Sequence, residues 1–405
     1  MKNILVINAG STSLKFSIIE FSIDQIKLLH SGQFDKIDDN KFTLKVDGIK
    51  REISTEDFEY AVWRIREVLF PDIGIELVGF RVVHGGEKFV SPTLLTQEII
   101  QEIETLSELA PLHNPPAIER IKQSFEAYPD VPKYAVFDTE FHATIPEKAY
   151  LYALPYRYYR DYKIRRYGFH GISHEYLYEQ LSIINDQLSI KDDHNLDCRL
   201  LIENCKLNRV ITCHLGGGAS ITAIKDGKSV DTSMGFTPME GIVMATRTGD
   251  VDDGVQNYLE KNLGITEDEI NRIFNKESGL VGLSELTSDM ITLIELYKQG
   301  NPAAVRALDV YFYRIQKYIG SYIAVLGGLD VLVFSGGVGS GSDFIRKKVC
   351  EGLNVFGIEL EDMKNDGKIN VDDWIEIGKG EVRIFAIKTN EELMIAQKIS
   401  LLHNS

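Results

Sequence analysis

The sequence predicts an α/β fold built from a duplicated domain, and three observations carry that expectation. Ile4-Leu5-Val6-Ile7 runs into the small, hydroxylated turn Asn8-Ala9-Gly10-Ser11-Thr12-Ser13-Leu14-Lys15, and a second apolar run follows at Phe16–Ile19. About half a chain later, Arg209–His214 leads through Gly216-Gly217-Gly218-Ala219-Ser220 to Ile221–Ile224 and the hairpin turn Asp226-Gly227. A strand–turn–strand unit that recurs in this way is the mark of an internal repeat. The third glycine cluster differs, because Val331–Phe334 passes through Ser335-Gly336-Gly337-Val338-Gly339 into a helical stretch at Asp343–Lys348. A strand–turn–helix of this kind points backbone amides at an anion.

Composition bounds the rest. A chain of 405 residues has room for two cored domains, and 44% hydrophobic with 26% charged residues is ordinary globular content. The net charge of −16 argues against nucleic acid or an anionic membrane as the main partner. It leaves room for a small anionic substrate in a locally cationic site. Cys198, Cys205, Cys213 and Cys350 show no C-x-x-C pairing and read as free thiols of a cytoplasmic protein. The apolar run Ile4–Ile7 is too short for a signal-peptide core, and Ile319–Phe334 carries Gly327, Gly328 and Asp330, unlike a membrane-spanning helix. No G-x-x-x-x-G-K-[ST] and no G-x-G-x-x-G is present, so any phosphate is held by the paired hairpin loops.

Between the loops, Thr96 caps an expected helix Gln97–Ala110 that Pro111 stops, and Lys133–Phe137 reads as a strand ending in Asp138. Leu154–Tyr167 mixes five basic residues with five tyrosines. In an acidic protein that mixture reads as interdomain or subunit packing rather than a single-strand nucleic-acid surface. Polar clusters at strand ends draw attention, since burying a charge costs several kcal/mol unless it is paired or used. They are Arg81-Val82-Val83-His84-Gly85-Gly86, Asp138-Thr139-Glu140-Phe141-His142, Arg165–His174 with His170 between glycines, Thr246-Arg247-Thr248-Gly249-Asp250, and Lys388-Thr389-Asn390-Glu391-Glu392. In the last of these, Asn390 reads as a helix N-cap. A carboxylate that ends an apolar strand suits a metal ligand in phosphoryl transfer, and arginines suit the developing charge.

Taken together, Asn8–Lys15, Arg81–Gly86, Leu112-His113-Asn114-Pro115, Phe137–His142, Arg166–His174, His214–Ser220, Asp231–Gly241, Thr246–Asp250 and Thr389–Glu392 resemble the acetate kinase family, in its order and over nearly the whole chain. The resemblance implies two ribonuclease-H-like domains of the sugar kinase–actin superfamily closing over an interdomain cleft. It implies a homodimer and reversible transfer of the ATP γ-phosphoryl group to acetate, giving acetyl phosphate and ADP with Mg²⁺ (Mn²⁺ as a substitute). The expected domains are 1–150 plus 386–405, and 151–385. Matching positions imply Asp138, Arg81, Arg247, His170 and His113 as catalytic residues, with Asn8 and Glu391 at the metal. Nucleotide contacts fall to Asn8, Ser11, Ser13, Lys15, His214, Gly216, Gly217, Gly218, Asp289, Met290, Ile291, Gly336, Gly337, Val338 and Gly339. Arg81, Val83, Leu112, Phe169 and Pro238 would hold acetate, its methyl group against the four apolar residues.

Three positions depart from the family pattern. Gly217 stands for the asparagine of H-L-G-N-G, Ser340-Gly341 for the E-N that follows G-G-x-G, and Ile291 for the arginine of S-x-D-x-R. Neutral drift and an altered phosphoryl donor both account for them. A segment around Asp186–Arg209 is longer than the family connection and reads as a surface insertion. Propionate or butyrate kinase, and a degenerate nucleotide-binding dimer, are the competing readings. The retained Arg81, Asp138, His170, Arg247 and Glu391 oppose the last.

Overall fold

The computed structural model describes residues 2–10, 12–22, 25–110, 113–191, 207–366, 369 and 373–404. The chain divides into two compact units, Met1–Phe141 with Asn390–Ser405, and His142–Thr389.

The first unit is built on β1 (Lys2–Ala9), β2 (Ser13–Phe21), β3 (Ile26–Asp38), β4 (Lys41–Val46), β5 (Ile49–Ile53), β6 (Leu77–Val82), β7 (Thr93–Leu94) and β8 (Lys133–Phe137). They form one sheet in the order β5-β4-β3-β2-β1-β6-β8-β7. The pairs β1–β2 and β2–β3 are antiparallel, whereas β1–β6 and β6–β8 are parallel. Ile4, Leu5, Val6 and Ile7 are all fully buried, because this central strand is covered on both faces. Leu5, Ile7, Val78 and Phe80 pack with Ile118 and Ile121 of helix Asn114–Ala127. On the other face, Gly79 lies so close to Ile395 and Ile399 that an added Cβ would come within 2.7 Å and 2.9 Å of them. Those residues belong to the final helix, Glu391–Asn404, which Asn390 caps through its Oδ1 (2.9 Å from the Leu393 N–H). Lys398 anchors it further on Glu140 at 2.6 Å.

The second unit carries β9 (Arg209–Leu215), β10 (Ala219–Lys225), β11 (Lys228–Thr232), β12 (Val331–Ser335), β13 (Trp374–Glu376) and β14 (Arg383–Ile387), ordered β11-β10-β9-β12-β14-β13. Again the first two pairings are antiparallel and the next two parallel. The five strands β3-β2-β1-β6-β8 and β11-β10-β9-β12-β14 therefore share one order and one set of directions. This is the duplicated ribonuclease-H-like arrangement. The β10–β11 connection is a tight hairpin in which Asp226 and Gly227 both take positive φ (50° and 78°), as a type I′ turn requires. Helix Pro302–Leu326 begins at the Asn301 cap and ends on Gly327 in the left-handed region.

Two local expectations change. The helix from Gln97 stops at Thr105, and Leu106–Glu108 tightens into a 3₁₀ turn instead of continuing to Ala110. The Gly336–Gly339 loop is itself a helical turn, followed by a second helix at Asp343–Cys350 that Ser342 caps. In the tyrosine-rich stretch, Tyr150 and Tyr159 share a hydroxyl hydrogen bond (3.0 Å), and Arg165 stacks 3.6 Å from the Tyr150 ring centre. Pro111, Cys198, Cys205 and most of the suspected insertion lie outside the described residues.

Candidate active site

In the first unit, parallel pairing of β1 with β6 sets Asn8 beside Arg81, and antiparallel pairing with β2 sets it beside Lys15. β8 runs parallel to β6, so Asp138 emerges next to Val82, its N–H bonded to the Val82 carbonyl at 3.0 Å. Three separate stretches thus converge at one strand end. The Arg81 guanidinium forks onto Asp138, donating from Nε to Oδ1 (2.9 Å) and from Nη2 to Oδ2 (2.6 Å), while Nη1 donates to Asn8 Oδ1 (3.2 Å). Asp138 is only 1% exposed, so the pair is largely desolvated. Burial alone would pull the Arg81 pKa down, but Asp138, Glu391 and Glu392 outweigh it and hold the cation firmly charged. Burial and the like charge of Glu391 push Glu392 up, against the pull of Lys15 and Arg81.

Two cations facing three carboxylates leave this cluster one negative charge in excess, and its donors are hard carboxylate and amide oxygens. Among the described residues no group of three or more His, Cys, Asp or Glu converges as a complete metal cage. The excess charge and the hard oxygen donors suit a Mg²⁺ or Mn²⁺ ion that takes one or two protein ligands and completes its shell with phosphate and water. Behind the cluster, Asn114 clamps the loop after β6: its Oδ1 accepts from the His84 N–H (3.1 Å) and its Nδ2 donates to the His84 carbonyl (3.1 Å). The Gly85 N–H donates to Thr139 Oγ1 at 3.0 Å. His113 stands at the start of the same helix as Asn114, and Val83 is buried nearby in sequence. Ser13 closes the first loop by accepting from the Gly10 N–H (2.7 Å), whereas Ser11 and Leu112 lie outside the described residues.

The second unit assembles a histidine cluster. His170 takes a left-handed conformation (φ 57°) after Gly168 (φ 79°) and stacks on His214 with ring centres 4.4 Å apart. A Cβ placed on Gly218 would lie 3.3 Å from His170 Cε1 and Nε2 and 3.9 Å from Arg247 Nη1. The Gly216–Gly218 loop, His170 and Arg247 therefore lie close together. Arg247 Nη1 also donates to the Pro238 carbonyl (3.0 Å), and burial lowers the pKa of its guanidinium. Phe169 is 1% exposed beside His170. We expect Gly218→Ala to crowd His170 and Arg247 and to lower kcat roughly tenfold or more, with the melting temperature little changed, measured by steady-state kinetics and thermal denaturation.

Two buried histidines of this cluster shape the acid stability. Burial pulls His142 down to about 4, and pulls His174 well below the ordinary histidine range. The unfolded chain binds these protons near pH 6.5, so stability is held above that pH and lost as pH falls toward 4. His142 alone accounts for roughly 3 kcal/mol across that window, which urea unfolding midpoints at pH 7.5 and 4.5 would report.

This chain matches the acetokinase family over residues 3–397. It belongs to that family. The acetate kinase of Shewanella frigidimarina is 43% identical over 98% of this chain and 97% of its own length. That of Bacillus subtilis is 42% identical, over 98% and 99%. Among solved structures, Porphyromonas gingivalis acetate kinase superposes with a TM-score of 0.86 at 37% identity, covering 99% of this chain and 100% of its own. A propionate kinase from Francisella tularensis gives 0.85 at 36%, over 98% and 99%.

Within this acetokinase fold, the residues nominated for nucleotide contact behave differently from one another. Gly336 needs its glycine, because it takes φ 74° and an added Cβ would meet the Leu215 carbonyl at 2.4 Å. Gly337 and Gly217 have open space around an added Cβ. The backbone therefore tolerates a side chain at position 217, and steric crowding does not explain the missing asparagine. Asp289 is occupied as an N-cap, accepting from the Thr292 N–H (2.8 Å) and hydroxyl (2.6 Å), while Met290 opens that helix and Ile291 is 70% exposed. Val338 lies in the helical turn of the third loop.

Two supporting roles escaped the sequence reading. Arg166 donates from Nη1 to the carbonyls of Thr232 (2.9 Å), Ser233 (3.1 Å) and Met234 (3.0 Å) and pairs with Glu240, holding the Asp231–Gly241 loop. Arg346, 2% exposed, donates to the carbonyls of Gly339 (3.1 Å) and Ser340 (2.8 Å) and to Asn365 Oδ1 (2.7 Å), fixing the third loop from beneath. Arg166 lies inside the quoted Arg165–His174 cluster and Arg346 inside the expected Asp343–Lys348 helix, but the sequence assigns a role to neither.

Proposed function

We propose that this chain is an acetate kinase, reversibly transferring the γ-phosphoryl group of ATP to a carboxylate oxygen of acetate. The full-length likeness to acetate kinases carries this reading, and the two polar clusters fit it residue by residue. Acetate is already an anion, so no general base is required, and the difficulty is bringing two anions together. In the proposal, Arg81, held by Asp138 and Asn8, orients and neutralises the carboxylate. Arg247 and the His170 ring face the equatorial oxygens of the transferring group, where a loose transition state spreads its charge. The acetate oxygen forms the new P–O bond as the bond to the ADP oxygen breaks. Lys15, Ser13 and the Gly216–Gly218 and Gly336–Gly339 loops serve the phosphates, and His113 and His214 stand beside them. Val83, Leu112, Phe169 and Pro238 serve the methyl group. When bound, Mg²⁺ would be held by Glu391 with Asn8, organised by Asp138, and would supply charge neutralisation on the nucleotide phosphates. A homodimer in the cytoplasm completes the proposal, and the buried free thiols of Cys213 and Cys350 are in keeping with a reducing compartment.

The likeness to a propionate kinase favours a second reading, because one methylene in an apolar pocket changes selectivity by only ~1–3 kcal/mol. Trapping acyl phosphate with hydroxylamine decides between them. Acetate, propionate and butyrate would each be tested with ATP, GTP and pyrophosphate. The highest kcat/KM is expected for acetate with ATP. Preference for propionate would move the assignment to the second reading, and product from no pair would sink both. Better turnover with pyrophosphate than with ATP would assign Gly217, Ile291 and Ser340-Gly341 to donor choice.

A further inference from the structure

Behind His170 lies a chain of buried hydrogen bonds that ends on no substrate. His170 Nδ1 is 2.9 Å from Ser220 Oγ, Ser220 Oγ is 2.8 Å from His174 Nε2, and His174 Nδ1 is 2.7 Å from Thr212 Oγ1. Ser220, His174 and Thr212 are each fully buried. We propose that Thr212, His174 and Ser220 are positioning residues whose one-way hydrogen bonding holds His170 as the neutral tautomer protonated on Nε2. The proposal rests on the reading of His170 as a residue of phosphoryl transfer.

The direction follows from counting hydrogens. The Thr212 hydroxyl has a single hydrogen, and among the described residues its side chain has no hydrogen-bond partner except His174 Nδ1. If Nδ1 carried the proton, the buried Thr212 hydrogen would have no acceptor, an outcome that native interiors avoid. Thr212 therefore donates, and His174 Nδ1 accepts. His174 is neutral in its buried setting, so its proton sits on Nε2 and is donated to Ser220 Oγ. Ser220 then has one hydrogen left and one remaining partner, His170 Nδ1, to which it donates. His170 is left with its proton on Nε2, on the ring edge that lies against Gly218. Arg247 and the stacked His214 lie beside the ring.

A contrasting chain shows why this one is directional. His214 Nδ1 meets Ser173 Oγ (2.8 Å), and Ser173 meets Thr389 Oγ1 (2.8 Å). Thr389 is only partly buried, so water can serve its hydroxyl and either direction is possible. Of these two chains, the Thr212 chain is the one that ends in a sealed hydroxyl and so fixes the direction of its hydrogen bonds.

Long-range ¹H–¹⁵N correlation spectra of the uniformly ¹⁵N-labelled protein at pH 7.5, with His170 and His174 assigned by substitution, test the proposal directly. Both rings are expected as Nε2–H tautomers. An Nδ1–H tautomer or imidazolium at His170, or Nδ1–H at His174, would overturn it, whatever the enzymatic activity. Thr212→Val keeps the shape and removes the sealed hydroxyl. It is expected to give mixed tautomers at His170 and a kcat about tenfold lower, with KM for acetate within twofold. Thr212→Ser is expected to restore both the spectrum and the rate. Thr212→Val with an unchanged His170 tautomer would also defeat the inference. The hydroxylamine assay addresses the reaction itself, so a wrong substrate and a wrong tautomer give separate signatures.

Discussion

Arg247→Ala is expected to lower kcat by roughly 10³-fold or more, the scale on which an arginine facing a transferring phosphoryl group acts. The guanidinium sits where the glycine loop and His170 converge, fixed on the Pro238 carbonyl. Its charge is already desolvated, so it strengthens interaction with a phosphoryl oxygen without reorganisation at the moment of reaction. Arg247→Lys is expected to recover little, since one ammonium cannot hold the carbonyl and the phosphoryl oxygens with the same planar fork. Steady-state kinetics in both reaction directions would check this. Activity within tenfold of the parent would remove Arg247 from the mechanism.

Arg81→Ala is expected to be equally damaging to turnover and, in addition, to cost stability. Its loss strips two charge-assisted bonds from Asp138, a carboxylate only 1% exposed. Breaking one side of such a buried pair costs about 3–5 kcal/mol, because the remaining charge stays in a low-dielectric site. The double variant Arg81→Ala with Asp138→Ala should therefore be more stable than Arg81→Ala alone, while remaining inactive. Urea denaturation of the two single variants and the double would measure that coupling. Equal stability of Arg81→Ala and the parent would show that the fork contributes nothing to the fold.

The sequence was most legible where chemistry and geometry are local. A strand that ends in Asp138 can be read from four apolar residues and one acid, and β8 runs from Lys133 to Phe137 as expected. The Asp226-Gly227 turn likewise carries its own conformational requirement. Legibility fails where a residue matters through distant partners. Nothing local to Thr212, an alternating strand residue, announces a histidine 38 positions away. Ser220 reads as part of a glycine loop, yet its hydroxyl bridges two rings. Asp289 is a further case: a motif position expected at the nucleotide is engaged in starting a helix. The Gln97 helix stopped early because propensity does not encode where tertiary packing tightens the last turn.

The final helix has a consequence for how the molecule is made. Glu391–Asn404 packs against β1, β2 and β6, strands that lie more than 300 positions before it in the chain, and Gly79 is shaped to receive Ile395 and Ile399. Arg81 and Asp138 are therefore synthesised roughly 310 and 250 positions ahead of the carboxylates that share their site, a wait on the order of 10–60 s at ~5–20 residues per second. During that interval the nascent N-terminal sheet keeps one apolar flank uncovered. Chaperone engagement during translation, and sensitivity to removal of the final helix, are the expected consequences of encoding one compact unit in two stretches separated by the other.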